Sequence, residues 1–311
     1  MSRRHVIFMA VLAATWGASY LFIKVGLRDF SSSFVVFGRT ALAAAVLAPL
    51  AYRAGALRAL RGHAKPITVL ALVQVAVPFL LITEGEHHIP TALAGILVAS
   101  APIYTALLAL RFDASERVGG WAAVGIVVGI VGVTLLFGVD LSGDRDTLIG
   151  GLMVLLASLG YSVGALYLKR TTAGVPPVAV ATGTMAVSAL MLAPFAALSL
   201  PTSAGADSVG ALLALGALGT GVAFLLFYSL IAEIGASKAS IVAYLAPVFA
   251  VVYGVTLLGE VISWATLGGL LLILAGSYLG AFGRPPWRRT RIVVPVPDVA
   301  ADAAAGELSR T

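Results

Sequence analysis

The sequence predicts an all-α integral membrane protein: ten transmembrane helices arranged as two inverted five-helix repeats, with the N and C termini cytoplasmic. Three observations predict it. The 311 residues are 60% hydrophobic and 11% charged, where a soluble domain carries about 25% charge. Apolar stretches of roughly 20 residues, long enough to cross a bilayer core, recur almost end to end and lack the alternation of barrel strands. A constant separation of 145 residues pairs Pro49 with Pro194, Phe79 with Phe224, Pro102 with Pro247, Trp16 with Tyr161 and Lys24 with Lys169. An odd number of spans per repeat turns the second copy over in the bilayer, an architecture common among secondary transporters.

The expected spans are 5–26, 32–52, 66–87, 90–111, 119–138, 147–168, 176–200, 208–233, 237–258 and 262–283. The first follows Arg3 and Arg4, and its apolar run is too long for a signal peptide, so it reads as a retained helix. The fourth and ninth each carry Ala-Pro near the middle, at Ala101-Pro102 and Ala246-Pro247. The fifth opens on Trp121-Ala-Ala-Val-Gly125 and the tenth on Trp264-Ala-Thr-Leu-Gly268, preceded by Glu116 and Glu260. The first repeat therefore occupies 5–138 and the second 147–283. Residues 284–311 begin Arg-Pro-Pro-Trp-Arg-Arg and turn Pro- and Ala-rich, which reads as a disordered cytoplasmic tail held by charge to anionic lipid.

Basic residues set the orientation. With a cytoplasmic N-terminus, all of the 20 Lys and Arg except Lys24, Arg28, Arg39 and Arg145 fall on the inner side. The net charge of +6 thus points to the membrane surface, not to nucleic acid. The chain has no Cys, and its four His show no zinc-ligand spacing, so no metal or other cofactor is expected. No Ser/His/Asp or paired-carboxylate constellation appears, which argues against a membrane-embedded enzyme.

Substrate binding is expected near the midplane, where the repeats meet. The large amphipathic side chains and small polar groups at that depth are Trp16, Ser19, Tyr20, Gln74, Phe79, Ser100, Tyr104, Tyr161, Phe224, Tyr228 and Tyr244. They suit a ligand part apolar and part polar, although an aromatic at any one site is more often filler between helices. Charges inside spans default to function. Arg39 and Glu84 are expected to pair in the outer half with Lys24 nearby, as a gate, a carboxylate dock or a structural ion pair, while Glu86, His87 and His88 read as solvated. Pro102 and Pro247 read as hinges, with static kinks as the alternative. The GxxxG spacings at Gly125, Gly160 and Gly276 read as contacts within one chain, so a monomer is expected.

Trp16-Gly17-Ala18-Ser19-Tyr20, Arg39, the paired Ala-Pro helices and Leu258-Gly259-Glu260 together resemble the EamA-type proteins of the drug/metabolite transporter superfamily, over about residues 5–283. The nearest functional type resembles YddG-like amino-acid exporters. The resemblance implies a central cavity lined by the first four helices of each repeat, with the fifth and tenth outside it. Asp113-Ala-Ser-Glu116 departs from the Gly-Glu of the second half. The expected function is export of small amphipathic metabolites, foremost amino acids, across the bacterial inner membrane by alternating access. A multidrug exporter of planar or cationic compounds is the alternative, and a passive channel or membrane-embedded enzyme is a more remote one.

Overall fold

The chain is described by a computed structural model covering residues 2–112, 120–139, 144–234 and 241–282. The expected tail at 284–311, the Glu116 loop and the acidic residue Asp140 lie outside the described residues. Ten apolar helical rods stand among them. These are α1 (Arg3–Gly26), α2 (Ser32–Arg53), α3 (Ala64–His88), α4 in two pieces (Thr91–Val98 and Ala101–Phe112), α5 (Gly120–Val139), α6 (Arg145–Thr171) and α7 (Pro177–Ala197). Then come α8 (Ala206–Leu213 continuing to Ala223–Ile234), α9 (Val242–Leu258) and α10 (Trp264–Phe282). The first eight contain stretches long and apolar enough to cross a membrane, and α9 and α10 are shorter apolar helices. Large apolar side chains such as Val127, Val131, Leu190, Phe195 and Leu271 face outward, as a molecule whose solvent is lipid requires.

The helix ends follow from local chemistry. Ser31 caps α2 by accepting from the Phe34 N–H at 3.2 Å. Gly259 ends α9 with φ +68°, a conformation that glycine reaches without strain. That turn sends Glu260 back over the N-terminus of α4, where its carboxylate accepts from the N–H groups of Thr91 (2.6 Å) and Ala92 (2.9 Å). Thr91 and Ala92 stand in the first turn, where amides have no intrahelical partner, and Pro90 at the N-cap offers no capping side chain, so a distant carboxylate caps the helix.

The main departure from the expected elements is in α4, which is not one rod. It breaks at Ala99 and Ser100, just before Pro102. A break in a span exposes carbonyls that no water reaches. Here hydroxyls meet them. Ser100 and Ser158 donate to Leu97 O (2.6 and 3.2 Å), Ser277 to Ala99 O (2.7 Å) and Ser162 to Ala101 O (2.7 Å). Pro247, by contrast, lies inside the unbroken helix α9. The matched Ala-Pro pairs therefore take different local forms.

Close helix contacts fall where glycine permits them. α5 and α10 meet at Gly125, Gly129 and Gly276: a Cβ on Gly276 would stand 2.6 Å from Gly125 O and from Gly129 Cα. α1 meets α9 at Gly17, where a Cβ would lie 2.5 Å from Phe249 Cβ and 2.7 Å from Ala246 O. Gly160 and Gly164 of α6 admit Pro78 and Gln74 of α3. Some features recur at the 145-residue separation. The Gly17–Ala246 contact corresponds to Ser162–Ala101, and π-helical turns occupy Ala71–Ala76 of α3 and Ala214–Val222 of α8.

Replacing Gly276 by Leu should force α5 and α10 apart and destabilise the purified protein by about 1–3 kcal/mol, the usual cost of overpacking. Gly120→Ala, where a Cβ meets only open space, should leave the melting temperature in detergent unchanged.

Candidate substrate site

At the centre of the bundle the structure gathers side chains from α1, α2, α3, α6 and α8 around Arg39. Arg39 is 8% exposed, deep inside α2. Its Nε donates to Thr220 Oγ1 at 2.8 Å, and its guanidinium lies 3.8 Å from the centre of the Phe79 ring. Thr220 belongs to the π-helical turn of α8 and passes its own hydroxyl hydrogen to Leu215 O (2.9 Å). Its oxygen is therefore left to accept from Arg39. Phe79 meets Tyr161 edge to face, with ring centres 6.4 Å apart. Tyr20 and Tyr161 lie within electrostatic reach of Arg39. Tyr20 rests against Gly95 of α4, where a Cβ would come within 3.5 Å of its ring. Thus Tyr20, Arg39, Phe79 and Tyr161 form one polar–aromatic group.

The other expected residues are placed in several ways. Trp16 and Phe224 form a second aromatic group with Phe227, at centroid distances of 6.5 and 5.1 Å from Trp16. Ser19 is buried on α1 where Gly219 of α8 comes close. Gln74 packs on Gly164 at the α3–α6 contact. Ser100 is 1% exposed and gives its hydroxyl to the α4 break, so it braces the backbone. Tyr104 is partly buried on α4. Tyr244 turns to α10, donating to Ser277 O at 3.3 Å and meeting the Tyr278 ring, so it does not join the central group. The side chain of Tyr228 lies outside the described residues.

The expected Arg39–Glu84 pair is not formed. Glu84 is exposed and accepts from the Ser32 hydroxyl at 2.5 Å. Glu86, expected to be solvated, is 0% exposed. Helical pitch is the reason. Phe79, Ile82, Thr83 and Glu86 share the inward face of α3, and Glu84 and His87 fall on the outward one. The same spacing, read from Phe79, marks Glu86 in the sequence. Lys24 stands beside Glu86 but donates to the main-chain carbonyls of Glu86 and Ile89, the latter at 3.3 Å. Thr220 was the harder residue to foresee, since nothing in its surroundings on α8 distinguishes it from other apolar-helix threonines.

The ends of α1 and α2 are tied to the second half outside the spans. Asp29 accepts from the Gly205 N–H at 2.8 Å, and the Ser31, Ser33 and Ser199 hydroxyls form a cluster. Hydrogen bonds from Ser208 and from Gly205 hold the Asp29 carboxyl below the usual carboxylate range. At the opposite face Glu233 pairs with Arg4 (3.3 Å) and His5 (2.9 Å).

A bundle of apolar helices with a buried, polar–aromatic centre is the form of a small-molecule transporter. The sequence profile of the EamA-like transporter family matches residues 3–138 and 148–281, and the chain belongs to that family. It is 30% identical over 285 residues to the "Uncharacterized inner membrane transporter YedA" of Escherichia coli K12, covering 85% of this chain and 88% of the relative. It is 25% identical to a "Probable amino-acid metabolite efflux pump" of Salmonella typhimurium, covering 94% of this chain and 99% of the relative. A solved crystal structure superposes with a TM-score of 0.63 at 20% identity, over 90% of this chain and 96% of that one, which shows the shared fold. The chain is thus a multi-pass membrane transporter, related to proteins named for the inner membrane.

Thr220→Val should leave the buried Arg39 Nε without its acceptor and lower stability by about 1.5–3 kcal/mol, the worth of a hydrogen bond to a charged group. Thr220→Ser should retain most of it, and thermal unfolding in detergent separates the two.

Proposed function

We propose that this protein exports amino acids or closely related carboxylates across the bacterial inner membrane by alternating access. The observation that carries this reading is Arg39. Its guanidinium is buried, stacked on Phe79 and anchored through Nε to Thr220, and no carboxylate is bonded to it among the described residues. A buried cation without an anion is costly unless something compensates it. The guanidinium's fork of terminal N–H groups suits a carboxylate held at two points. The surrounding Tyr20, Phe79 and Tyr161 would take the apolar part of the same molecule. The printed name of the Salmonella typhimurium relative supports the same substrate class.

The finer architecture belongs to this reading. Residues 5–138 and 147–283 act as two inverted repeats, both termini are cytoplasmic and one chain forms the whole site. The charge asymmetry of the loops and the features recurring at 145 residues support it. The aromatic group of Trp16, Phe224 and Phe227 favours the second reading, export of flat drug-like compounds. A positive charge at the centre opposes it for cations.

Purified protein in liposomes, given a panel of labelled amino acids and planar cations, decides between them. Amino-acid uptake should be present and should fall about tenfold or more in Arg39→Lys, since an ammonium loses both the fork and the stacking. Movement of a cation without movement of any amino acid overturns the leading reading.

A further inference from the structure

Glu86 is the one carboxylate among the described residues that is wholly enclosed and short of a partner. It is 0% exposed, and its Oε1 has no hydrogen-bond donor, while Oε2 accepts only a long bond (3.4 Å) from Thr91. An ionised carboxylate has nothing but acceptor sites, so a sealed oxygen without a donor is an unfavourable place for the charge. The nearest cation does not resolve this, because the Lys24 ammonium is turned to the carbonyls of Glu86 and Ile89. The charged and titratable groups facing Glu86 are Lys24 and Tyr20 from α1, Arg39 from α2 and Glu260 from the turn before α10. α4 adds the Thr91 hydroxyl, and α6 presents the Gly150 main chain beside Gly85.

A metal ion would need several oxygens, and the second carboxylate here cannot supply them. Both oxygens of Glu260 are taken by the Thr91 and Ala92 amides. A substrate ammonium would need an approach that the sealed Oε1 lacks. A proton needs neither. Glu86 also stands seven residues beyond Phe79 on the same face of α3, about 10 Å from the ring that carries Arg39. The carboxyl is thus on the element that also forms the substrate group.

We propose that Glu86 is the proton-carrying group of the transport cycle, and that substrate leaves in exchange for a proton. In one half-cycle an O–H bond forms at the Glu86 carboxylate as water at the α3–α4 end gives up a proton. In the other that bond breaks and the proton passes to water on the opposite side. Lys24 and Thr91, already in contact with this end of α3, change partners as the charge appears and disappears. This assignment rests on the transporter reading, but its proton-binding half can be tested without a substrate.

Infrared difference spectra of the purified, full-length protein over a pH titration should show, among the protonated-carboxyl bands of its 14 Asp and Glu, one that is absent from Glu86→Gln and present in Glu84→Gln. In liposomes, efflux of the amino acid identified in the panel should accelerate with an inward proton gradient in wild type. Glu86→Gln should lose that response while still exchanging labelled for unlabelled substrate at equal pH on both sides. Glu86→Asp should regain a response to the gradient, which separates loss of the proton site from loss of the fold. A spectrum that loses no band in Glu86→Gln, or a wild type indifferent to the gradient, overturns the proposal. If no amino acid moves but the band behaves as stated, the substrate reading fails and the proton site stands.

Discussion

The backbone of α4 organises this molecule, because a break in a transmembrane helix must be paid for in hydrogen bonds drawn from the protein itself. Pro102 contributes no N–H, and the chain above it stops being helical at Ala99 and Ser100. The carbonyls of Leu97, Ala99 and Ala101 around the break accept from serines of α4, α6 and α10. The bonds from Ser158, Ser162 and Ser277 each fix another helix against α4 as well as meeting an oxygen. The short piece Thr91–Val98 is also held at its far end by Glu260. It is therefore clamped top and bottom by the other half of the chain, and its Gly95 can serve as a fixed wall for Tyr20.

Between those clamps the contacts are close because side chains are small. Gly17, Gly95 and Ala250 bring α1, α4 and α9 together so tightly that a Cβ on Gly95 would come within 2.5 Å of Ala250. Without a hydrophobic drive between helices in lipid, such close packing supplies dispersion energy that bulkier residues would forfeit. The same economy on α5 and α10 leaves those two helices mated to each other and α4, at the margin of the bundle. The centre is then free for the few large polar and aromatic side chains that a substrate would meet.

How much of this could be read from the sequence depended on how far each feature reaches. Spans were legible because hydropathy is a sum over many residues, and the 145-residue pairing was legible because it repeats. Pro102 marks in the sequence the helix that breaks, but the serines that meet its carbonyls from α6 and α10 lie 61 and 178 residues away and carry no local sign of that role. Among the charges, Arg39 stands out as costly inside a span, and depth in the outer half points to Glu84 as its partner. Thr220, on a distant helix, is the actual one. Position along the span favours Glu84, but side chains rotate by about 100° per residue about the helix axis, which puts Glu86 and not Glu84 on the inward face. Tyr244 was placed by depth alone, and its ring faces α10. Depth can be read by counting residues, but azimuth requires knowing the neighbours.

The departures from pairing mark where the two halves differ in chemistry. Across the 145-residue separation Pro49 and Pro194 and the two π-helical turns keep their kind, as features of scaffold do. Arg39 corresponds to Thr184, whose hydroxyl merely bonds back to Val180 O, and Glu86 corresponds to Ile231. Ser162 pins Ala101 O, whereas its counterpart Gly17 offers Ala246 O no hydroxyl at all. Two halves equal in sequence would carry the same charges at corresponding positions. Among the described residues the buried cation Arg39 and the wholly buried acid Glu86 both belong to the first half, Arg39 on a helix that meets the second half through Thr220 and Glu86 on one that meets it at Gly150, so the two halves bring different chemistry to one bundle.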